Sequence, residues 1–201
     1  CEAIKANCEE DVIPMWMSGS AVEAEATTMN SYLMFHYGTG ERLVDDATGI
    51  WNINTQGMYD SLSFFSDLYQ KGFGGTMSEV IDANAWATMS DYLRNDKLGI
   101  CLGGNWQWSN FAATGTYPWE GFEEELGFAK MPNQNGGGFT TLSGGWCLTI
   151  PAKCDVPDDA FDFLTNLMDP EQNYLQLILA RGDLATRTEL NEMEEYSAAP
   201  F

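Results

Sequence analysis

Amphipathic helical segments alternate along this sequence with short apolar segments that run into glycine-containing loops. A helix is predicted over 55–72, because apolar residues recur there at steps of four, three and four before Gly72. A second helix is predicted over 78–96, and apolar strands are predicted at 12–17 (VIPMWM) and at 98–102 (LGICL). The core-facing residues of the two helices are predicted to be Met58, Leu62, Phe65 and Tyr69, and then Ile81, Ala85, Met89 and Tyr92. Alternating helices and strands predict an α/β protein.

The C-terminal part of the chain carries clear helix boundary signals. A strand is predicted at 145–150 (GWCLTI), and helices are predicted at 157–168 and 170–181. Asp169 precedes a proline, which is typical of an N-cap followed by proline at the first helical position. Gly182 is predicted to end the last of these helices as a C-cap.

The charge of the chain limits its partners. Nine Lys and Arg residues stand against thirty Asp and Glu residues, which gives a formal net charge of −21. Such a surface repels nucleic acid and anionic membranes, so neither is expected as a partner. No segment approaches the roughly 18 consecutive apolar residues that a membrane-spanning helix needs.

The cysteines and the histidine do not indicate a metal site. Five cysteines without a CxxC pair and a single histidine make a zinc site improbable, and no cofactor is expected. Cys101 and Cys147 lie in apolar runs and are predicted to be buried small hydrophobic residues. Cys1 begins a helix-like segment, so the chain is expected to be an internal piece of a longer protein.

Three segments, read in order, carry a family resemblance. They are YLRNDKLGICLGGNWQWSN at 92–110, LGFAKMPNQNGGGFTTLSGGWCLTIPAKCDVPDDAFDFLTNLMDPEQN at 126–173, and LARGDLATRTEL at 179–190. Together they resemble the family 1 extracellular solute-binding proteins of sugar ABC transporters, the maltose-binding-protein-like family. The last segment departs from the family's Leu-Pro-x-Arg turn, because Leu184-Ala185-Thr186-Arg187 lacks the proline.

The resemblance implies a two-lobed, type II periplasmic-binding-protein-like fold. Residues 1–138 would form the main part of one α/β lobe, and residues 139–201 the crossing strand and helices that contribute to the second lobe. It also implies a receptor that captures a carbohydrate, in particular an oligosaccharide, and delivers it to the membrane permease of an ABC importer. The implied location is extracytoplasmic, in the periplasm or on the cell surface as a lipoprotein whose lipid anchor lies outside these residues.

Five residues are predicted to bind the sugar, because aromatic rings stack on sugar C–H faces and polar groups bind hydroxyl edges. Trp106 follows two glycines and aligns with the family's sugar-stacking tryptophan. Trp146 could contact the ligand or pack at the hinge, and Trp16 could line the cleft edge or pack in the core. Asn105 could bind a hydroxyl or cap its loop, and Arg187 could clamp the ligand or form a surface ion pair.

Two other classes of protein compete with this interpretation. A glycoside hydrolase needs two carboxylates about 5 to 10 Å apart across the bond, and the tryptophan loops GGNWQW and SGGWC contain none. No GxSxG, Walker, GxGxxG or HExxH motif is present either. A non-transport carbohydrate-binding module is usually all-β, whereas this chain has several amphipathic helices. We therefore expect a binding protein and not an enzyme.

The two C-terminal helices are expected to lack their native packing partner, if the lobe that they belong to is completed by residues outside this chain. The apolar stripe concerned consists of Phe161, Leu164, Leu167, Leu175 and Ile178.

Overall fold

The computed structural model describes residues 1–23 and 26–199, apart from the side chain of Val22. Contacts divide the chain into two compact units, the first formed by 1–102 with 121–143 and the second by 103–120 with the described part of 144–201. Segment 103–120 thus groups with the C-terminal part of the chain. The division into lobes at 138 and 139 stays a prediction. No helix of the described residues is long and apolar enough to cross a membrane.

Short helices dominate the described residues. In chain order they are α1 (Glu2–Asn7), α2 (Leu33–Gly38), α3 (Gln56–Gln70), α4 (Met77–Val80), α5 (Ala85–Arg94), α6 (Gln107–Phe111), α7 (Phe122–Glu125), α8 (Pro157–Leu167), α9 (Leu175–Arg181) and α10 (Glu194–Ser197). Wider π-helical turns at Thr27–Tyr32 and Pro170–Tyr174 lead into α2 and α9, and 3₁₀ turns lie at Ala21–Glu23 and Thr188–Glu192. Strands β1 (Met131–Pro132) and β2 (Phe139–Thr140) pair antiparallel.

In the first unit, the two predicted apolar strands lie side by side. Parallel bridges join Ile13 to Leu98 and Trp16 to Cys101. The Trp16 amide donates to the Ile100 carbonyl at 2.7 Å, and the Gly99 amide donates to the Ile13 carbonyl at 2.9 Å. Parallel pairing of segments separated by helices is the connection that an α/β protein uses, so this part of the prediction is confirmed.

The α3 helix has the predicted position, and two of its predicted core-facing residues, Phe65 and Tyr69, pack against the buried cluster that includes Leu68. Thr55 caps it by accepting from the Met58 amide at 3.2 Å. Its buried residues are Gly57, Ser61 and Leu68, whereas Leu62 is 52% exposed, so the core position predicted for Leu62 is wrong. A Cβ on Gly57 would lie 2.3 Å from the Thr39 Oγ1, so a small residue there permits a close approach that hydrophobic spacing does not reveal.

The helix predicted over 78–96 is broken in two. The Asp82 carboxylate accepts from the Asn84 amide at 2.8 Å, which is a local side-chain turn that competes with a continuous helix. As a result α4 ends before Ile81, which is 54% exposed and not in the core. Ala85 and Met89 are buried as predicted, with Leu93 beside them.

In the second unit, the predicted helix boundaries are confirmed. Pro157 opens α8, the Asp169 carboxylate accepts from the amides of Glu171 and Gln172 at 3.0 Å, and Gly182 ends α9 in the left-handed conformation with φ of 65°. A cluster of buried residues forms a hydrophobic core in this unit: Tyr174, Ile178 and Leu190.

Segment 145–150 differs from its prediction. It forms no strand among the described residues, because none of them pairs with it. Cys147 lies in this unpaired segment and is exposed, so its predicted burial is wrong. Cys101 is partly buried, and this burial raises the pKa of its thiol to about 11. All five cysteines are free thiols.

The stripe expected to lack a partner is only partly exposed. Phe161 is 63% exposed and no residue of α8 is buried, which agrees with the prediction. Ile178 is 5% exposed, so the prediction is wrong for this residue. Ile178 finds its partners within the second unit, where it packs with Tyr174 and Leu190.

Candidate functional site

Trp106 lies at the N-terminus of α6, in the second unit, and its side chain is half-buried. The six-membered part of its indole lies against the backbone of Gly104. A Cβ added to Gly104 would be 2.0 Å from Cζ3 of the Trp106 ring and 2.4 Å from Cε3 and Cη2. The ring can take this position only because residue 104 has no side chain.

The residues on either side of Trp106 are bound to the C-terminal end of α9. The Asn105 side-chain amide donates to the Gly182 carbonyl, and the Ser109 hydroxyl donates to the Arg181 carbonyl at 2.7 Å. The last carbonyls of a helix have no partner within it, so these two side chains satisfy groups that the helix leaves open. The loop-capping role considered for Asn105 is therefore present, and it occupies the amide nitrogen.

Gln107 follows Trp106 and points into the protein. It is 3% exposed, and its side-chain Oε1 accepts from the side-chain amide of Asn110 at 2.9 Å. Its buried Nε2 has no hydrogen-bond partner among the described residues. The next residue, Trp108, lines an open cavity of about 390 Å³ with residues of α9 such as Leu179.

Trp146 and Arg187 are both exposed to solvent. The Trp146 side chain is 84% exposed, so the described residues leave most of its ring uncovered. Arg187 forms an ion pair with Glu189 at 2.7 Å, with side-chain exposures of 42% and 54%. That hydrogen bond lowers the pKa of Glu189, but an exposed pair of this kind contributes little to stability.

Trp16, in the first unit, is a core residue in this structure. Its side chain is 1% exposed and packs edge-on against Tyr92, with ring centroids 6.0 Å apart. A Cβ on Gly75 would lie 2.7 Å from its ring, which shows how closely the backbone surrounds it. Among the described residues, the Trp16 side chain therefore packs in the core, and its prediction as a ligand contact stays a prediction.

A buried carboxyl group follows Trp16 in the chain and was not singled out by the sequence. Glu23 is 7% exposed, and its Oε2 accepts from the Ser20 amide at 3.2 Å and from the Thr27 hydroxyl at 3.5 Å. Its Oε1 is buried without a hydrogen-bond partner among the described residues. Burial raises the pKa of Glu23 above its ordinary value of 4.5, in spite of these hydrogen bonds.

Glu23→Gln is expected to make stability less dependent on pH. A carboxyl group with a raised folded-state pKa contributes stability that is fully present below its unfolded pKa and is lost as pH rises through the folded value. The wild type should therefore lose stability relative to the glutamine variant as pH rises above about 4.5. Urea unfolding across this range measures the difference, and the exposed Glu124→Gln is the control. If the difference in stability between the wild type and Glu23→Gln did not change with pH, the raised pKa of Glu23 would be contradicted.

The sequence model of the bacterial extracellular solute-binding proteins matches residues 1–200. The chain belongs to this family of binding proteins, and the predicted extracytoplasmic location is confirmed. None of the curated proteins matches the sequence significantly.

Solved structures share the fold. The sugar-binding protein MalE from the phytopathogen Xanthomonas citri is 23% identical, with a TM-score of 0.67 over 98% of this chain and 46% of that chain. Maltose-bound T. maritima MalE3 is 20% identical, with a TM-score of 0.70 over 93% and 46%. A Thermotoga lettingae TMO ABC transporter solute-binding protein with α-D-tagatose bound is 19% identical, with a TM-score of 0.72 over 94% and 45%. The chain spans about half the length of these proteins, and the predicted α/β, periplasmic-binding-protein-like fold is confirmed.

Proposed function

We propose that the full-length protein captures a carbohydrate outside the cytoplasm and delivers it to the membrane permease of an ABC importer. Membership of the solute-binding family supports the capture of a solute. The similar structures support a sugar as that solute, since they are described as a sugar-binding MalE, a maltose-bound MalE3 and an ABC transporter protein with α-D-tagatose bound.

The position of Trp106 carries the proposal. A half-buried indole, held at the start of a helix by its contact with Gly104, has the size and rigidity to stack on the C–H face of a sugar. Trp146, which is 84% exposed, would add a second stacking surface. Hydroxyl groups would bind the side-chain oxygen of Asn105, whose nitrogen is engaged by Gly182, and the exposed guanidinium of Arg187.

The proposed activity is binding without chemistry. Members of the family are binding proteins, and sugar hydrolysis would need a pair of carboxyl groups placed across the scissile bond. Arg187 and its partner Glu189 hold opposite charges together, which suits orientation of a hydroxyl group better than acid catalysis. A lipid anchor outside these residues, which would tether the receptor to the membrane, is part of the same proposal.

Trp106→Ala in the full-length protein is expected to weaken sugar binding by about 1–3 kcal/mol, or roughly 5- to 150-fold, as loss of a central aromatic anchor does. Titration calorimetry with a panel that includes maltose, longer oligosaccharides and tagatose measures this effect. Trp51→Ala, which removes a 65% exposed indole of the first unit, is the control and should leave affinity unchanged.

The same titrations test the function itself. Sugar recovered from the complex is expected to be chemically unchanged, and cleavage products would contradict binding without chemistry. Failure of the wild type to bind any sugar of the panel would contradict the proposed function. Binding that survives Trp106→Ala undiminished would contradict only the role of this residue.

A further inference from the structure

We infer that Gly104 is the positioning residue for Trp106: the absence of a side chain at 104 sets the orientation of the indole without contact between Gly104 and the ligand. The inference rests on the proposed role of Trp106 in sugar binding. It starts from the Cβ position at Gly104, which would lie 2.0 Å from the Trp106 ring. Real Cβ atoms do not approach a carbon this closely, so any side chain at 104 has to displace something.

The backbone of the loop is poorly placed to move. The Asn105 side-chain amide donates to the Gly182 carbonyl, and the Ser109 hydroxyl, which has one proton to donate, lies 2.7 Å from the Arg181 carbonyl and 2.9 Å from the Trp106 carbonyl. Displacing the loop would break these hydrogen bonds to the end of α9, and the one from Asn105 is part-buried, where an unmade hydrogen bond is costly.

The indole is therefore the group that yields. A half-buried side chain can rotate to another rotamer at lower cost than a bound loop can shift. A methyl group at 104 would thus leave the fold of the second unit intact and turn the Trp106 ring away from its position. The sequence offers two adjacent glycines here, and only the second one meets the ring: a Cβ on Gly103 would lie near Gln107 instead, at 3.1 Å.

Gly104→Ala in the full-length protein tests the inference. We expect sugar affinity to fall about as far as in Trp106→Ala, roughly 5- to 150-fold, with little change in the unfolding midpoint. Gly137→Ala is the matched control, because a Cβ at Gly137 meets nothing within 4 Å, and it should bind sugar like the wild type.

A double-mutant cycle separates positioning from a general structural role. Once Trp106 is alanine there is no ring for the new methyl group to displace, so Gly104→Ala should cause no further loss of affinity or stability in that background. Unchanged affinity of the single Gly104→Ala variant would overturn the inference, and so would a further loss in the double variant. If Trp106→Ala alone leaves affinity unchanged, the proposed role of Trp106 fails instead. The double variant is expected to fold even if the single variant does not.

Discussion

Replacing Trp16 with alanine is expected to lower the free energy of unfolding by about 3–5 kcal/mol, the range for truncation of a fully buried large aromatic residue. The side chain is 1% exposed and packs edge-on against Tyr92, whose hydroxyl donates to Glu79. Alanine would leave a cavity between the paired segments at Trp16 and Cys101 and the helix that carries Tyr92.

Urea unfolding followed by circular dichroism measures this loss. Trp146→Ala is the control, because an indole that is 84% exposed buries little apolar surface and should cost less than about 0.5 kcal/mol. A loss below about 1 kcal/mol in Trp16→Ala would show that the ring is not a core residue. Trp16→Phe then distinguishes packing in the core from contact with the sugar. The substitution would lower stability if Trp16 is a core residue, and it would lower sugar affinity if Trp16 contacts the ligand.

The second large effect is expected from Leu190→Ala, at about 2–5 kcal/mol. Leu190 has no exposed surface and packs with Tyr174 and Ile178 as a hydrophobic core of the second unit. Leu190 lies in the 3₁₀ turn Thr188–Glu192, and this turn begins directly after Arg187. Packing of the Leu190 side chain therefore fixes the position of the backbone next to this arginine.

The same unfolding measurement applies, with Leu184→Ala as the matched control. Leu184 is 66% exposed, so its truncation should cost less than about 0.5 kcal/mol. Equal losses in the two variants would contradict the description of this core. A secondary expectation is that sugar affinity in Leu190→Ala falls by less than in Trp106→Ala, because Leu190 is fully buried and cannot touch a ligand.

Local signals in the sequence were enough for the fold class and for several boundaries. Pro157 begins a helix, Asp169 caps a helical turn with its side chain, and Gly182 ends a helix through its left-handed backbone. Each effect is local and needs no distant partner. The apolar segments at 12–17 and 98–102, which pair through isolated parallel bridges, were recognisable as strand-like because each is short, apolar and followed by glycine or serine.

Predictions of strand pairing and of side-chain burial were wrong where the result depended on contacts with other parts of the chain. The segment 145–150 has the composition of a strand, but a strand needs a second strand, and the described residues provide none. Leu62 has helical spacing with Tyr69, yet Tyr69 packs on the core while Leu62 is exposed, and the buried side of α3 includes the small residues Gly57 and Ser61.

The tryptophans show the same limit at the candidate site. The sequence by itself determined that Trp16 and Trp106 each come near the end of an apolar segment, two residues from serine or glycine, and that both were candidates for the sugar. Only the tertiary structure distinguished their burial, because it packs Trp16 against Tyr92 and leaves Trp106 half-exposed over Gly104. The reason is that burial of a side chain depends on atoms from distant parts of the chain, and these have no representation in local composition or spacing.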